Sequence, residues 1–101
     1  MTTPEGKWKR KVHDLLASER YVPHIWQYAA VETGFGTRAV DKLVCIRGRF
    51  LAIECKADAT KKLTERQQLT KMRIVAAGGT FLEVFDEASY QALILWIGAH
   101  A

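Results

Sequence analysis

Two carboxylates and a lysine, Asp41, Glu54 and Lys56, flank two short apolar runs near the middle of the sequence. Asp41 lies just before the run 43–46, whereas Glu54 and Lys56 lie at the end of the run 50–55. A glycine-containing segment separates the runs, and this pattern predicts a β-hairpin. Paired carboxylates suit a hard divalent cation such as Mg²⁺ or Mn²⁺, and a nearby ammonium can act on a water molecule or a phosphate. These are the residue types that hydrolysis of a phosphodiester requires.

The register of the hairpin decides whether these side chains meet. With a two-residue loop at 48–49, Asp41 pairs with Lys56, and position 43 pairs with Glu54. Opposed residues share a face, as do alternate residues along a strand, so the three polar side chains are expected to emerge together. Residues 44, 46, 51, 53 and 55 would face a core. The same register permits a plain Asp41–Lys56 ion pair, worth about 0–1 kcal/mol if exposed, and the hairpin by itself slightly favours that interpretation.

Composition narrows the class of protein. A chain of 101 residues, 49% of them apolar, predicts one domain over residues 1–101 with a single core. The net charge of +4 fits a polyanionic partner, and no apolar run approaches the ~20 residues that span a bilayer. Cys45 and Cys55 fall on opposite faces of the hairpin, which predicts two free thiols. Free thiols without a secretory leader suggest a reducing, cytoplasmic setting.

The part of the chain before the hairpin predicts a helix and a strand. The helix is expected over about residues 3–18, with Thr2 and Glu5 as a capping box. Its inward stripe would comprise Glu5, Trp8, Val12, Leu15 and Leu16. Residues 24–31 suit a strand, although a helix is not excluded, and glycines make 32–38 a loop. The tryptophans are expected in the core rather than as base-stacking platforms: Trp8, Trp26 and Trp96.

After the hairpin, the chain predicts a helix, a strand and a last helix. The second helix opens at Thr64, with Gln67 as its capping-box partner, and is expected to bury Leu69, Met72, Val75 and Ala76. A strand over 80–85 precedes a helix capped by Asp86, which would direct inward Tyr90, Leu93 and Ile94. The order helix–strand–hairpin–helix–strand–helix predicts an α/β fold with a central mixed β-sheet flanked by helices.

Asp41 followed by Glu54-Cys55-Lys56 resembles the PD-(D/E)xK nuclease superfamily, in which a metal-binding aspartate precedes an E-x-K strand across a hairpin. The predicted element order is similar to the restriction-endonuclease-like core of that superfamily. Three motifs resemble virus-type replication-repair nuclease (VRR-NUC) domains: a glycine-containing loop before the aspartate, a Leu-Thr-x-x-Gln helix start at 63–67, and Ala-Gly-Gly at 77–79. The resemblance spans about residues 5–85; the residue before the aspartate is valine, where the family usually has proline.

The resemblance implies a deoxyribonuclease that hydrolyses phosphodiester bonds with Mg²⁺ or Mn²⁺. Its metal ligands would be Asp41, Glu54 and the backbone carbonyl of Cys55, and Lys56 would act on the attacking water. Gln67 and Glu5 match the family's helix-start glutamine and first-helix glutamate, although each could be only a helix cap. A DNA-binding track is expected from basic residues, about half of which would be ordinary surface charges: Lys7, Lys9, Arg10, Lys11, Arg38, Lys61, Lys62 and Arg66.

The resemblance also implies a partner and a setting. The small stand-alone members resemble Holliday-junction resolvases, which act on branched DNA as symmetric dimers. We therefore expect a homodimer that cleaves DNA by structure rather than sequence, in repair or recombination, in the cytoplasm of a bacterial or phage-infected cell. Two alternatives stay open: a flap or end-processing nuclease, and a non-catalytic DNA-binding or assembly protein that retains the nuclease fold. The intact set of Asp41, Glu54 and Lys56 argues against the second.

Overall fold

The elements of this chain follow the predicted order of helix, strand, hairpin, helix, strand and helix. A computed structural model describes residues 3–29 and 40–101. Within them the α-helices and β-strands are α1 (Pro4–Leu16), β1 (Ile25–Ala29), β2 (Lys42–Ile46), β3 (Arg49–Cys55), α2 (Glu65–Ala76), β4 (Thr80–Val84) and α3 (Glu87–His100). The predicted loop at 32–38, with Arg38, lies outside the described residues, as do Thr2 and the last two positions of the predicted first strand.

The four strands form one mixed sheet in the order β1-β2-β3-β4. Strands β1, β2 and β3 are antiparallel to their neighbours, and β4 runs parallel to β3. Parallel neighbours need a crossover connection, and α2 supplies it between β3 and β4. The predicted α/β fold with a central mixed sheet flanked by helices is confirmed.

One face of the sheet, which we call the core face, packs against α1 and α3. Alternate residues of β2 and β3 point to this face and meet Trp8, Val12 and Leu16 of α1. The largest fully buried side chains there are Leu16, Ile46, Leu51, Ile53, Leu93 and Ile97. Burial of one such side chain contributes about 1.5–3 kcal/mol, so this layer fixes the hairpin against the two helices.

Part of the opposite face, which we call the site face, is covered by α2, which packs on β4. Ala52 and Phe81 are buried there, and the residues that pack against them are Leu43, Leu63 and Ile74. Gln67 and Ile74 are half-buried and lie seven residues, about two turns, apart on α2, so this side of the helix lies on the sheet. The helix is thereby held beside the end of the hairpin that carries Glu54.

Two predictions of buried side chains were wrong. The stripe assigned to the interior of α2 is exposed: Leu69 by 47%, Met72 by 68% and Val75 by 54%, together with Ala76. The helix has apolar residues on two sides, and periodicity does not say which side meets the sheet. Trp26 is 63% exposed, because β1 is an edge strand and Trp26 points to the site face beside Cys45.

The hairpin loop lies one residue before the predicted position. Arg47 and Gly48 form it, with φ values of 46° and 83°. A two-residue hairpin turn of this kind needs positive φ at both central positions. Each cross-strand pairing therefore shifts by two, so that Val44 pairs with Leu51 and the predicted Asp41–Lys56 pair was wrong. A shift of two preserves which residues share a face, and the predicted division into polar and apolar faces is confirmed.

Helix α1 is capped by Thr3, and the predicted capping box of Thr2 and Glu5 was wrong. The hydroxyl of Thr3 accepts a hydrogen bond of 3.0 Å from the Gly6 N–H, and Pro4 takes the first helical position. The helix ends at Leu16, two residues before the predicted end. Glu5 thus lies in the first turn of α1 and is not part of the cap.

Two features implied by composition can be compared with the structure. Cys45 is exposed and Cys55 is buried, and both are free, so the predicted absence of a disulfide between them is confirmed. Among the helices of residues 3–29 and 40–101, none has the length and apolar character that crossing a lipid bilayer requires.

Candidate active site

Three carboxylates lie side by side at one end of the site face. The last pair of the hairpin ladder is Lys42 with Ile53, so the next step places Asp41 opposite Glu54. In the parallel ladder, Glu54 is the partner of Glu83 on β4. Asp41 and Glu54 are only 8% and 4% exposed, and buried carboxylates at adjoining positions are the donors that a divalent cation needs.

Each carboxylate of this row lies near a lysine from a different segment. The nitrogen–oxygen distances are 3.3 Å for Lys9–Asp41, 3.9 Å for Lys56–Glu54 and 3.8 Å for Lys71–Glu83. The lysines differ in exposure: the side chain of Lys56 is 12% exposed, whereas those of Lys9 and Lys71 are 35% and 44% exposed. Lys56 is therefore the ammonium that the protein holds most firmly in the site.

Asp41 is anchored to strand β3 by a backbone hydrogen bond. Its Oδ2 accepts a buried bond of 2.8 Å from the Cys55 N–H, while its Oδ1 lies near Lys9. Partial burial lowers the pKa of Lys9, but the carboxylates of Asp41 and Glu5 outweigh that effect, and the pKa is raised overall. Lys9 consequently stays protonated beside Asp41.

Glu5 is linked to Asp41 through the same lysine. Its Oε2 lies 3.3 Å from Lys9 Nζ, which spans the two carboxylates. Glu5 and Lys9 are four residues apart on α1, an arrangement in which side chains meet on one side of a helix. The structure thus places Glu5 next to the row of carboxylates, and its part in the chemistry stays a prediction.

Lys56 is positioned through both its backbone and its side chain. Its N–H donates to the Val84 carbonyl at 2.9 Å, which extends the ladder between β3 and β4. Its Nζ donates to Gln67 Oε1 at 2.9 Å. The same Oε1 accepts the Thr64 N–H at 3.0 Å, and the Thr64 hydroxyl accepts the Gln67 N–H at 3.2 Å. The predicted capping box is confirmed, and Gln67 also orients Lys56.

Cys55 contributes its backbone to the site rather than its thiol. Burial raises the pKa of the Cys55 thiol to about 12, and the carboxylates of Asp41 and Glu54 add to that rise. The side chain packs in the core face, where it stays neutral. The backbone carbonyl is therefore the group of Cys55 that could serve as a ligand.

The donor set fits Mg²⁺ or Mn²⁺. Mg²⁺ is commonly bound by one or two carboxylates, and it keeps several waters or takes substrate phosphates as further ligands. Asp41 and Glu54 supply two buried carboxylates of this kind. In the described part of the chain, no group of three or more His, Cys, Asp or Glu side chains could hold a metal ion. The remaining ligands would be the Cys55 carbonyl, water and substrate.

A cleft of about 470 Å³ opens between the start of α1 and the segment that joins β3 to α2. Its lining includes Glu5 and Lys56, together with the exposed lysines Lys61 and Lys62. Positive side chains beside such a cleft can contact the phosphates of a nucleic acid without reading its sequence. The cleft therefore connects Glu5 and Lys56, which lie next to the row of carboxylates, with two members of the predicted DNA-binding track.

The other members of the predicted track have varied surroundings. Lys9 lies within the site, Arg10 is 3.6 Å from Asp14, and Lys11 is 3.6 Å from Glu87. Lys7 is exposed and lies over the Trp8 ring, and Arg66 is exposed at the start of α2. Arg38 lies outside the described residues. Among the described members, Lys7, Arg10, Lys61, Lys62 and Arg66 are exposed, and a DNA backbone could reach them.

Two parts of the site were not predicted as such. Lys9 was assigned only to the DNA track, although its spacing from Glu5 predicts an ion pair along the helix. Glu83 was not singled out, because its place beside Glu54 depends on the register between two strands separated by a helix. No local sequence pattern in β4 predicts which residues of β3 it pairs with.

A solved structure of a VRR_NUC domain is similar to this chain. The two superpose with a TM-score of 0.66, over 91% of this chain and 96% of that one. The chain has the fold of a VRR_NUC domain. At 21% sequence identity the likeness establishes the fold alone, and it confirms the nuclease fold implied by the resemblance of Asp41 and Glu54-Cys55-Lys56. No protein-family model matches the chain, and the search of curated proteins found no match.

Proposed function

We propose that this chain is a metal-dependent DNA endonuclease that hydrolyses phosphodiester bonds. One observation carries the proposal: the buried carboxylates of Asp41 and Glu54 lie at neighbouring positions at one end of the sheet, and the anchored ammonium of Lys56 lies 3.9 Å from Glu54. The VRR_NUC fold supports the proposal, because in this chain that fold places Asp41, Glu54 and Lys56 at the same end of one hairpin. The alternative interpretation, an ion pair between exposed residues, does not account for these side chains, because both carboxylates are buried.

The chain's own residues would bind, orient and stabilise the reacting groups. Asp41, Glu54 and the Cys55 carbonyl would hold Mg²⁺ or Mn²⁺, which supplies Lewis acidity toward the phosphate. Lys56, oriented by Gln67, would position the attacking water and stabilise negative charge as it builds on the phosphate oxygens. Lys61 and Lys62 would contact the flanking backbone.

We further propose that the enzyme acts on branched DNA as a homodimer. The accessible basic residues near the cleft can read backbone charge and shape but not base edges, which favours selection by structure. A symmetric dimer would present two active sites to two strands, as resolution of a four-way junction requires. Residues 1–101 would form the single nuclease domain of each subunit.

The test is a cleavage assay with linear, flap and four-way DNA in Mg²⁺, Mn²⁺ and EDTA. We expect metal-dependent nicks at symmetric positions in the four-way substrate and none in EDTA. Preferred cleavage of flaps would support an end-processing nuclease instead. Failure to cut any substrate, with DNA binding retained, would support a non-catalytic protein. A Lys56→Met sample, purified in parallel, controls for contaminating nucleases.

Junction selectivity has its own measurement. The Lys56→Met protein should bind a four-way junction at least about tenfold more tightly than a linear duplex of equal length, in fluorescence anisotropy at fixed salt. Light scattering of the same protein should give the mass of two chains. Equal affinity for the two DNA forms would contradict the resolvase-like part of the proposal, and a monomer would contradict the dimer.

Gln67 should affect both stability and catalysis. We expect Gln67→Ala to lower the free energy of unfolding by about 1 kcal/mol and the cleavage rate by about tenfold, because the cap and the anchor of Lys56 are lost together. Thr64→Ala is the matched control, since it weakens the same capping box but keeps the Gln67–Lys56 hydrogen bond. Urea denaturation and single-turnover cleavage separate the two effects. Equal cleavage rates for both variants would limit Gln67 to capping.

A further inference from the structure

We propose that Lys9 is an internal cation that holds Asp41 and Glu5 together in the metal-free protein and is displaced from Asp41 when a divalent metal binds. The inference rests on the proposed metal-dependent function. It adds a group of the chain itself, the Lys9 ammonium, that competes with the metal for Asp41. Lys9 was expected only to contact DNA, but its Nζ lies 3.3 Å from each of the two carboxylates.

The geometry of Asp41 makes the two cations compete for one oxygen. Its Oδ2 is held by the Cys55 N–H at 2.8 Å, and its Oδ1 faces Lys9. Turning the carboxylate to present another oxygen would break that buried hydrogen bond. A magnesium ion lies about 2.1 Å from its ligand oxygens. On Oδ1 it would therefore come within about 5.4 Å of an unmoved Lys9 Nζ.

Close approach of these charges is unfavourable because the site is shielded from water. The side chain of Asp41 is 7% exposed, so a dication and an ammonium on the same oxygen would repel each other with less screening than two exposed charges. The ammonium must move before the metal is bound tightly. Metal affinity is then lower than the carboxylates alone would produce.

Lys9 has a path along which it can move. Its side chain is 35% exposed, and a lysine can rotate about its four-carbon stem into solvent while α1 stays in place. It can also stay with Glu5, which lies on the same helix and is 41% exposed. Lys56 differs, because its side chain is 12% exposed and is anchored to Gln67. Of the two lysines beside the candidate metal ligands, Lys9 is the one placed to leave.

The test measures Mn²⁺ affinity without DNA, by isothermal titration calorimetry. Lys9→Met removes the charge and keeps the length of the side chain, and we expect it to bind Mn²⁺ about tenfold more tightly than the wild type. Lys9→Arg keeps the charge and should stay near the wild type. Lys71→Met is the matched control: its ammonium is similarly exposed and lies beside Glu83, outside the proposed ligands. We expect it to change affinity by less than about threefold.

Thermal unfolding provides a second readout for the same proteins. In EDTA, Lys9→Met should unfold at a lower temperature than the wild type, because buried Asp41 loses its neighbouring ammonium. Saturating Mn²⁺ should raise its Tm by more than it raises that of the wild type. Unchanged or weaker Mn²⁺ affinity in Lys9→Met would overturn the inference, as would an equal gain in Lys71→Met. Absence of Mn²⁺ binding in every protein would overturn the proposed function as well.

Discussion

Lys56→Met is expected to lower the single-turnover rate of DNA cleavage by about 10³-fold while DNA affinity changes by less than about threefold. The loss is large because the Lys56 ammonium is the anchored positive group of the site, held by Gln67 and 3.9 Å from the candidate metal ligand Glu54. Methionine preserves the apolar stem, so the packing around a side chain that is 12% exposed is retained. Because so little of the Lys56 side chain is exposed, the substitution should change the DNA-binding surface of the protein very little.

Single-turnover cleavage in excess enzyme measures the chemical step, and fluorescence anisotropy measures binding. Lys71→Met is the matched control, because it makes the same substitution beside the third carboxylate of the row. That variant should cleave within about threefold of the wild type, since Lys71 pairs with Glu83 rather than with a proposed ligand. A Lys56→Met protein that retains more than a tenth of the wild-type rate would remove Lys56 from the mechanism.

Asp41→Asn is expected to reduce cleavage by about 10³-fold or more and to weaken Mn²⁺ binding by at least about tenfold. The amide oxygen of asparagine can still accept the Cys55 N–H bond, whereas the negative charge that binds the cation is lost. The fold should therefore survive. Asp41→Ala is a poorer choice, because it leaves the buried Cys55 N–H without its acceptor, at a cost of about 1–3 kcal/mol.

Calorimetry with Mn²⁺, circular dichroism and cleavage assays together test this expectation. Glu83→Gln is the matched control, since it removes one negative charge from the same row two strands away from Asp41. It should keep cleavage within about fivefold of the wild type. Wild-type Mn²⁺ affinity in a folded Asp41→Asn protein would exclude Asp41 as a ligand. Loss of activity in Glu83→Gln would instead extend the site to the third carboxylate.

The hairpin shows why much of the site could be read from local pattern. Side chains alternate with a period of two, so an error of two residues in register left Asp41 and Glu54 on one face and the apolar residues on the other. The Thr64–Gln67 capping box was readable for a similar reason, since it depends on residues three positions apart. Burial on α2 was misassigned because that helix has apolar residues on both sides.

By itself, the sequence determined the order of the elements, the mixed sheet and the faces of the hairpin. It also determined the resemblance that identifies Asp41, Glu54 and Lys56 as candidate site residues. Only the tertiary structure placed Lys9 on Asp41 and Glu83 beside Glu54. Those contacts join α1 to the end of the hairpin and β3 to β4, elements that lie far apart in the chain. Local periodicity describes which side of an element is apolar, whereas packing decides which elements meet and which charges then share a site.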